Sequence, residues 1–203
     1  METKTYKTDG KVKHFTKGSS IDDKLNSLLG SRYSEYRKQW DAAAKFEFVP
    51  DFPLFLQFDL HQVCNMHCVH CIKFDIEIEK DAYKDNEIPL DWNSYKRIID
   101  EGRDYNCPSM SPCGINEPLA KKDLEKHIKY AHDNGFIDII MNTNALLMNE
   151  ERARKLLDSG LTRLRFSLDA ASKETYLKSR GRTTYDKAVK NIDYFLNLKE
   201  QRG

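Results

Sequence analysis

The chain has 203 residues, a net charge of +1 and 32% charged residues; this length suits one ordinary domain, or one domain with an appendage, and can bury a sizeable core. The near-neutral balance gives no large field of one sign, so neither nucleic acid nor a membrane surface is an expected partner, and no stretch approaches the ~18 uncharged apolar residues of a membrane span. The opening METKTYKTDGKVKHF lacks the apolar core of a signal peptide, so the expected location is cytoplasmic, where thiols stay reduced, and an odd count of five cysteines argues against a disulfide framework.

Residues 1–18 are rich in Lys and Thr, show little periodicity and read as a loose arm. From Ser20 to about Ala44 the pattern is helical, with Ser20 placed to cap it and Asp22 and Asp23 in the first turn. Leu25, Leu28 and Leu29 form one apolar patch; Tyr33, Tyr36 and Trp40 form another beyond Gly30. That predicts two short helices or one kinked helix. No internal repeat or low-complexity segment is visible.

PLFLQFDL alternates at period two, with Leu54, Leu56, Phe58 and Leu60 on one face and Phe55, Gln57 and Asp59 on the other. The run CNMHCVHC follows directly, with Cys64, Cys68 and Cys71 spaced by three and two residues. The acidic run DIEIEKDAYKDNE reads as a solvated loop. DWNSYKRIIDEG is a helix with Tyr95, Ile98 and Ile99 inward. SMSPCGI makes a poor strand because Pro112 interrupts it. KKDLEKHIKYAHDNG is a helix carrying Leu124, Ile128 and Ala131 on one face and closed by Asn134 and Gly135.

FIDIIMNTN is a strand, and NEERARKLLDSG a helix capped by Asn149 and ended at Gly160. LTRLRFSLD alternates again, Leu164, Phe166 and Leu168 opposing Arg163, Arg165, Ser167 and Asp169. TYDKAVKNIDYFLNLKE is an amphipathic helix. Alternating strands and helices predict an α/β fold with a parallel sheet and right-handed crossovers.

A doubly wound sheet buries both strand faces. Here Gln57, Asp59, Asn142, Asn144, Arg165, Ser167 and Asp169 would form a polar face. A curved sheet with helices on its outer face explains that better: a partial (β/α) TIM-type half-barrel of about four parallel strands, with an N-terminal helical extension. Ligands then sit near the C-terminal strand ends. The expected division is an arm and helical extension over 1–50 and the core over 51–203.

Three thiols within eight residues admit several readings. The cysteines could share a helix face as small core residues, although Asn65, His67 and His70 make a poor core helix. They could bind zinc with His67 or His70 as fourth ligand. They could hold an electron-transfer cluster with Cys107 or Cys113 as fourth ligand. Or they could hold an iron–sulfur cluster with one iron left open.

The run resembles the CxxxCxxC signature of the radical S-adenosylmethionine (radical SAM) enzymes. GINEP, residues 114–118, resembles that family's GGEP-type motif, with Asn116 in place of a common glycine, a substitution that tolerates positive φ. MNTNALLMNEERARKLLDSGL resembles its TNG-x-x-L segment, with Ala145 for the usual glycine. RFSLDAASKETYLKSRGR is similar to the SLDA…R stretch of the peptide-modifying, SPASM-type branch, and RYSEYRKQWDAA resembles a segment that precedes the core there. The resemblance runs from about residue 31 to the C-terminus.

It implies a 4Fe–4S cluster on Cys64, Cys68 and Cys71, whose open iron chelates the amino and carboxylate groups of S-adenosylmethionine, and reductive cleavage to a 5′-deoxyadenosyl radical that abstracts hydrogen from substrate. By the same resemblance Gly114, Asn116, Glu117 and Pro118 receive the cofactor's amino group. Ser167 and Arg180 face its carboxylate, Asp169 faces the ribose region, and the main chain of His70 approaches the adenine. The histidines 61, 67 and 70 are expected as surface or packing residues, and Cys107 and Cys113 as spare thiols. Cys113, beside the GINEP turn, is also a candidate reactive group.

The resemblance further implies a small-molecule or peptide substrate and an electron donor such as flavodoxin or ferredoxin. The family has six strand–helix units and this chain four, which leads one to expect a truncated core with no auxiliary cluster. It also leads one to expect a fourth strand whose free edge favours self-association or a partner. The alternatives are a non-catalytic cluster-binding remnant and a zinc or electron-transfer module without S-adenosylmethionine.

Overall fold

The structure, a computed structural model, describes residues 20–74 and 89–202. The expected loose arm and the acidic run lie outside the described residues. The chain divides into two compact units, Met1–Val49 and Pro50–Gly203.

The first unit carries α1 (Ile21–Leu29) and α2 (Ser31–Ala44). Ser20 and Asp23 close a reciprocal capping box, each side chain accepting the other's backbone N–H at 3.0 Å. Gly30, at φ 70°, separates the two helices. Tyr33 Oη donates to Asp22 Oδ1 and Ser34 Oγ to Asn26 Oδ1, both at 2.7 Å. The stripe of α1 turned toward α2 is therefore Asp22, Leu25, Asn26 and Leu29. Leu28 falls outside it and is 78% exposed, so it does not join the apolar patch expected from its spacing. Tyr33, Tyr36 and Trp40 run along α2 in edge-to-face contacts at 5.9 and 6.0 Å.

The second unit is built on β1 (Phe55–Gln57), β2 (Ser109–Ser111), β3 (Asp138–Thr143) and β4 (Arg163–Phe166). All neighbours pair in parallel, in the order β1-β2-β3-β4. The crossovers are α3 (Trp92–Asp104), α4 (Leu124–Asp133) and α5 (Glu150–Leu157). After β4 come α6 (Lys173–Arg180) and α7 (Tyr185–Arg202). This is the expected α/β sheet of four parallel strands.

Leu56 pairs with Met110, Met110 with Ile139, and Met141 with Leu164. Met110, Ile139 and Met141 share one buried core with Tyr95 and Ile99 of α3, Ile128 of α4, Leu156 of α5 and Phe195 of α7. The alternate residues Gln57, Asn142 and Arg165 are exposed on the other face. Toward the N-terminal end of that face the buried Asp138 carboxylate is ion-paired with Arg163.

Side-chain caps mark the helix starts. Asp91 accepts from Asn93 and Ser94 at the head of α3, Asn149 from Arg152 at α5, and Ser172 from Thr175 at α6. β2 stops where Pro112 removes a backbone donor, as its sequence predicts. Sequence periodicity does not mark α6, because Tyr176 and Arg180 are its only buried residues. Among the described strands β4 pairs on one side only, with β3. No described helix is long and apolar enough to cross a membrane.

Candidate functional site

A cleft of about 280 Å³ opens at the C-terminal ends of the strands. Four segments line it. The cysteine loop contributes Cys64, Cys68, His70 and Cys71; the turn after β2, Cys113 to Glu117; the end of β3, Asn142 to Asn144. Ser167 and Arg180 complete it from beyond β4. Every expected site residue except Pro118 and Asp169 is in this lining. Pro118 is the next residue along from Glu117, and Asp169 is ion-paired with Arg180.

The cysteine loop is not helical between residues 61 and 71, so the three thiols do not share a helix face. Cys68 is buried, and Cys64 and Cys71 are half-buried. Burial pushes the Cys64 thiol pKa up. Among the described residues no three His, Cys, Asp or Glu side chains, the three thiols included, converge closely enough to ligate one metal ion. His67 and His70 are exposed. His70 Nδ1 donates to the Ser179 carbonyl at 2.8 Å, and its Nε2 lies 3.9 Å from Asp169 Oδ2. His61 Nδ1 accepts from the Val63 N–H at 3.0 Å; burial, with Lys121 and Lys73 nearby, pushes its pKa down.

The GINEP turn is fixed at both ends. Asp59 Oδ1 accepts the N–H groups of Gly114 and Ile115, each at 3.1 Å. A Cβ on Gly114 would lie 2.6 Å from both oxygens of that carboxylate, so a side chain at this position would push the carboxylate away from the turn. Glu117 is 2% exposed. Its carboxylate accepts from the Leu119 N–H at 3.1 Å, the Thr143 hydroxyl at 2.6 Å and the Asn144 N–H at 2.8 Å. Burial nevertheless pushes its pKa up. Glu117 thus ties the turn to the end of β3, and its own N–H reaches the Val63 carbonyl at 3.0 Å.

Asn116 does not use positive φ, contrary to the role its sequence position suggests; among the described residues the left-handed non-glycine ones are Phe46, Asn106, Ala145 and Asp169. Its side-chain amide is buried with neither polar atom bonded. Ala145, at φ 63°, keeps the left-handed turn where the resemblance has glycine. Asn144 accepts from the Leu146 N–H at 3.0 Å and donates to Asn65 Oδ1 at 2.8 Å, which joins β3 to the cysteine loop.

Beyond β4 the Ser167 N–H donates to the Thr143 carbonyl at 2.8 Å. Arg180, 8% exposed, is ion-paired with Asp169 and donates from Nη1 to Cys68 Sγ at 3.3 Å. Its Nε is buried without a partner. The resemblance implies different parts of a ligand for Arg180 and Asp169; here they face each other, the exposed carboxylate supplying the counter-charge of the buried guanidinium.

The two remaining cysteines part company. Cys107 sits in the apolar core, 3.6 Å from the Ser109 carbonyl. Cys113 stands in the cleft wall, its sulfur 3.2 Å from Ser111 Oγ and accepting the Asn142 N–H at 3.3 Å; burial pushes its pKa up. Asp59, Asn65 and Thr143 carry structural roles in the site that their sequence positions did not reveal.

Residues 60–199 match the Radical SAM superfamily. The Fe-coproporphyrin III synthase of Methanosarcina barkeri is 33% identical over 132 residues, 64% of this chain and 30% of that protein. A probable GTP 3′,8-cyclase of Saccharolobus islandicus is 31% identical, over 68% of this chain and 42% of its own length. The mycofactocin maturase MftC of Mycolicibacterium smegmatis is 28% identical, over 75% of this chain and 37% of its own.

These relatives are enzymes of varied kinds, and the chain spans less than half the length of each. The crystal structure of methylornithine synthase (PylB) shares the fold, with a TM-score of 0.52, 16% identity and coverage of 89% of this chain and 53% of that one. Members of the superfamily use an iron–sulfur cluster and S-adenosylmethionine. The match extends from the cysteine loop through the cleft and into α7, and this chain belongs to the radical SAM superfamily.

Proposed function

We propose that Cys64, Cys68 and Cys71 hold a 4Fe–4S cluster and that S-adenosylmethionine binds beside it in the strand-end cleft, for reductive cleavage and hydrogen abstraction from a small-molecule or peptide substrate. The supporting observation is a coincidence of groups. The three thiols line the same cleft as the unpaired Asn116 amide and the unpaired Arg180 Nε. Buried polar atoms are nearly always satisfied, so orphans facing a cleft suit a polar ligand. A donor set of three thiols suits a cluster with one iron left for a ligand.

When bound, the cluster and cofactor supply the one-electron sulfonium cleavage of the superfamily. The chain's own residues bind and orient. Arg180 Nε and the Ser167 hydroxyl serve the methionine carboxylate, a charge-assisted contact in the case of Arg180. The backbone of Gly114 and the Asn116 amide serve the amino group. Glu117 and Pro118 hold the turn that presents them. Asp169 orders Arg180 and lies toward the ribose, and the main chain of His70 flanks the adenine. The electron donor belongs to the flavodoxin or ferredoxin class.

The test is anaerobic reconstitution, followed by dithionite and S-adenosylmethionine. The proposal expects 5′-deoxyadenosine and methionine from the wild type and none from Cys68→Ala. A loaded cluster with no 5′-deoxyadenosine would instead favour a cluster-binding protein without turnover.

A further inference from the structure

The C-terminal end of α6 is docked onto the cysteine loop. Ser179 accepts from His70, and Tyr176 Oη lies 3.8 Å from Met66 Sδ. Tyr176 and Met66 share a small buried cluster with Cys68, against which Cys64 and Cys71 pack. Gly181, at φ 66°, ends the helix in a left-handed cap; a Cβ there would lie 2.9 Å from Val69 Cγ1. Arg180 immediately precedes this cap, so the cap sets its position. Its guanidinium reaches the sulfur of Cys68 on one side and the carboxylate of Asp169 on the other.

We infer that the Arg180–Asp169 pair is a positioning device that tunes the reduction potential of the cluster through Cys68. The inference rests on the cluster assignment above. The cluster is reduced by one electron from an external donor, which makes the thiolate-ligated centre more negative. A cationic donor on a ligand sulfur favours that added charge, and hydrogen bonds to sulfur are among the factors that set cluster potentials. Arg180 is buried, so water screens its charge little. Asp169 acts with opposite sign. It partly neutralises Arg180 and adds its own negative charge near the loop. Removing the two partners therefore moves the potential in opposite directions, whereas a loosened loop has no reason to do so.

The experiment is a redox titration of the reconstituted cluster, followed by paramagnetic resonance in the absence of S-adenosylmethionine. Wild type, Arg180→Gln, Arg180→Lys and Asp169→Asn are compared. Asn is chosen because Asp169 has φ 54° and Asn tolerates the left-handed region. Arg180→Gln should lower the potential by a tenfold change in the reduction constant, about 59 mV for one electron. Arg180→Lys should fall between Gln and wild type, and Asp169→Asn should raise the potential. Shifts of the same sign in Arg180→Gln and Asp169→Asn, or no shift in either, would overturn the inference while leaving the cluster assignment intact. If Arg180→Gln fails to load, the upward shift in Asp169→Asn decides. A wild type that assembles no cluster would overturn the assignment and the inference with it.

Discussion

The carboxylate of Asp59, just past β1, holds Gly114, just past β2, through a hydrogen bond of 3.1 Å from the Gly114 N–H. The same oxygen takes the Ile115 N–H at equal distance, so one side chain fixes the start of the GINEP turn. A methyl group at residue 114 displaces that carboxylate. Gly114→Ala should therefore cost about 1.5 kcal/mol, the low end for bonds to a charged acceptor, because water can reach both residues. Asp59→Asn keeps an accepting oxygen and should cost less. Urea unfolding midpoints measure both, and an unchanged midpoint in Gly114→Ala would contradict the role given to Asp59.

Thr143 is the hinge of the next link. Its hydroxyl donates to Glu117 and accepts the Ala145 N–H at 3.1 Å. Thr143→Val keeps the shape, removes both bonds and should cost about 1–3 kcal/mol. It also removes a group that lowers the Glu117 pKa, which burial already holds above its ordinary 4.5. A group with a raised native pKa contributes stability that is present below its unfolded value and lost as pH rises through the native one. The deficit of Thr143→Val should accordingly be smaller near pH 4, about the unfolded glutamate value, than near neutrality. Equal deficits at both would contradict the account of Glu117.

His127 sets a dependence of the other kind. Its ring, 1% exposed, packs against both Trp92 and Tyr95, with centroids at 5.0 and 4.7 Å. Nδ1 meets the Asp123 carbonyl at 2.9 Å, and Nε2 is buried without a partner. Burial pushes its pKa below 6.5, against the pull of Asp123 and together with Lys121 and Lys126. As pH falls below 6.5 the unfolded chain takes up a proton that the native ring does not. Stability is therefore present above 6.5 and lost as pH falls toward the native value. His127→Phe should flatten the stability profile between about pH 7 and about pH 5. His61, also lowered, retains part of the slope. An unchanged slope in His127→Phe would contradict this.

Strands β1, β3 and β4, the caps Ser20 and Asn149 and the cysteine run are legible because each is a local pattern, whereas SMSPCGI reads as a poor strand and yet supplies β2. Pro112 stops β2, Asn149 starts α5, and the alternation through β4 separates Leu164 from Arg165. What escaped the sequence depends on residues far apart in the chain. That Glu117, in the cleft lining, is also held by Thr143 and Asn144 is not visible in its own segment. Arg180 and Asp169 read as two contacts to a ligand, yet a turn and α6 bring them together. KETYLKSR gave no helical signal because it buries so little apolar surface. Cys107 and Cys113 look alike on paper, and only the sheet sends one into the core and the other into the cleft.

The central claim is that three particular thiols, and not the other two, hold an iron–sulfur cluster. Iron and acid-labile sulfide per chain, after anaerobic reconstitution of the wild type and five single Cys→Ala variants, test it directly. About four of each are expected in the wild type, in Cys107→Ala and in Cys113→Ala. Both should be largely lost in Cys64→Ala, Cys68→Ala and Cys71→Ala. Stoichiometric zinc without sulfide in the wild type, or a loss in Cys113→Ala equal to that in Cys68→Ala, would contradict the assignment.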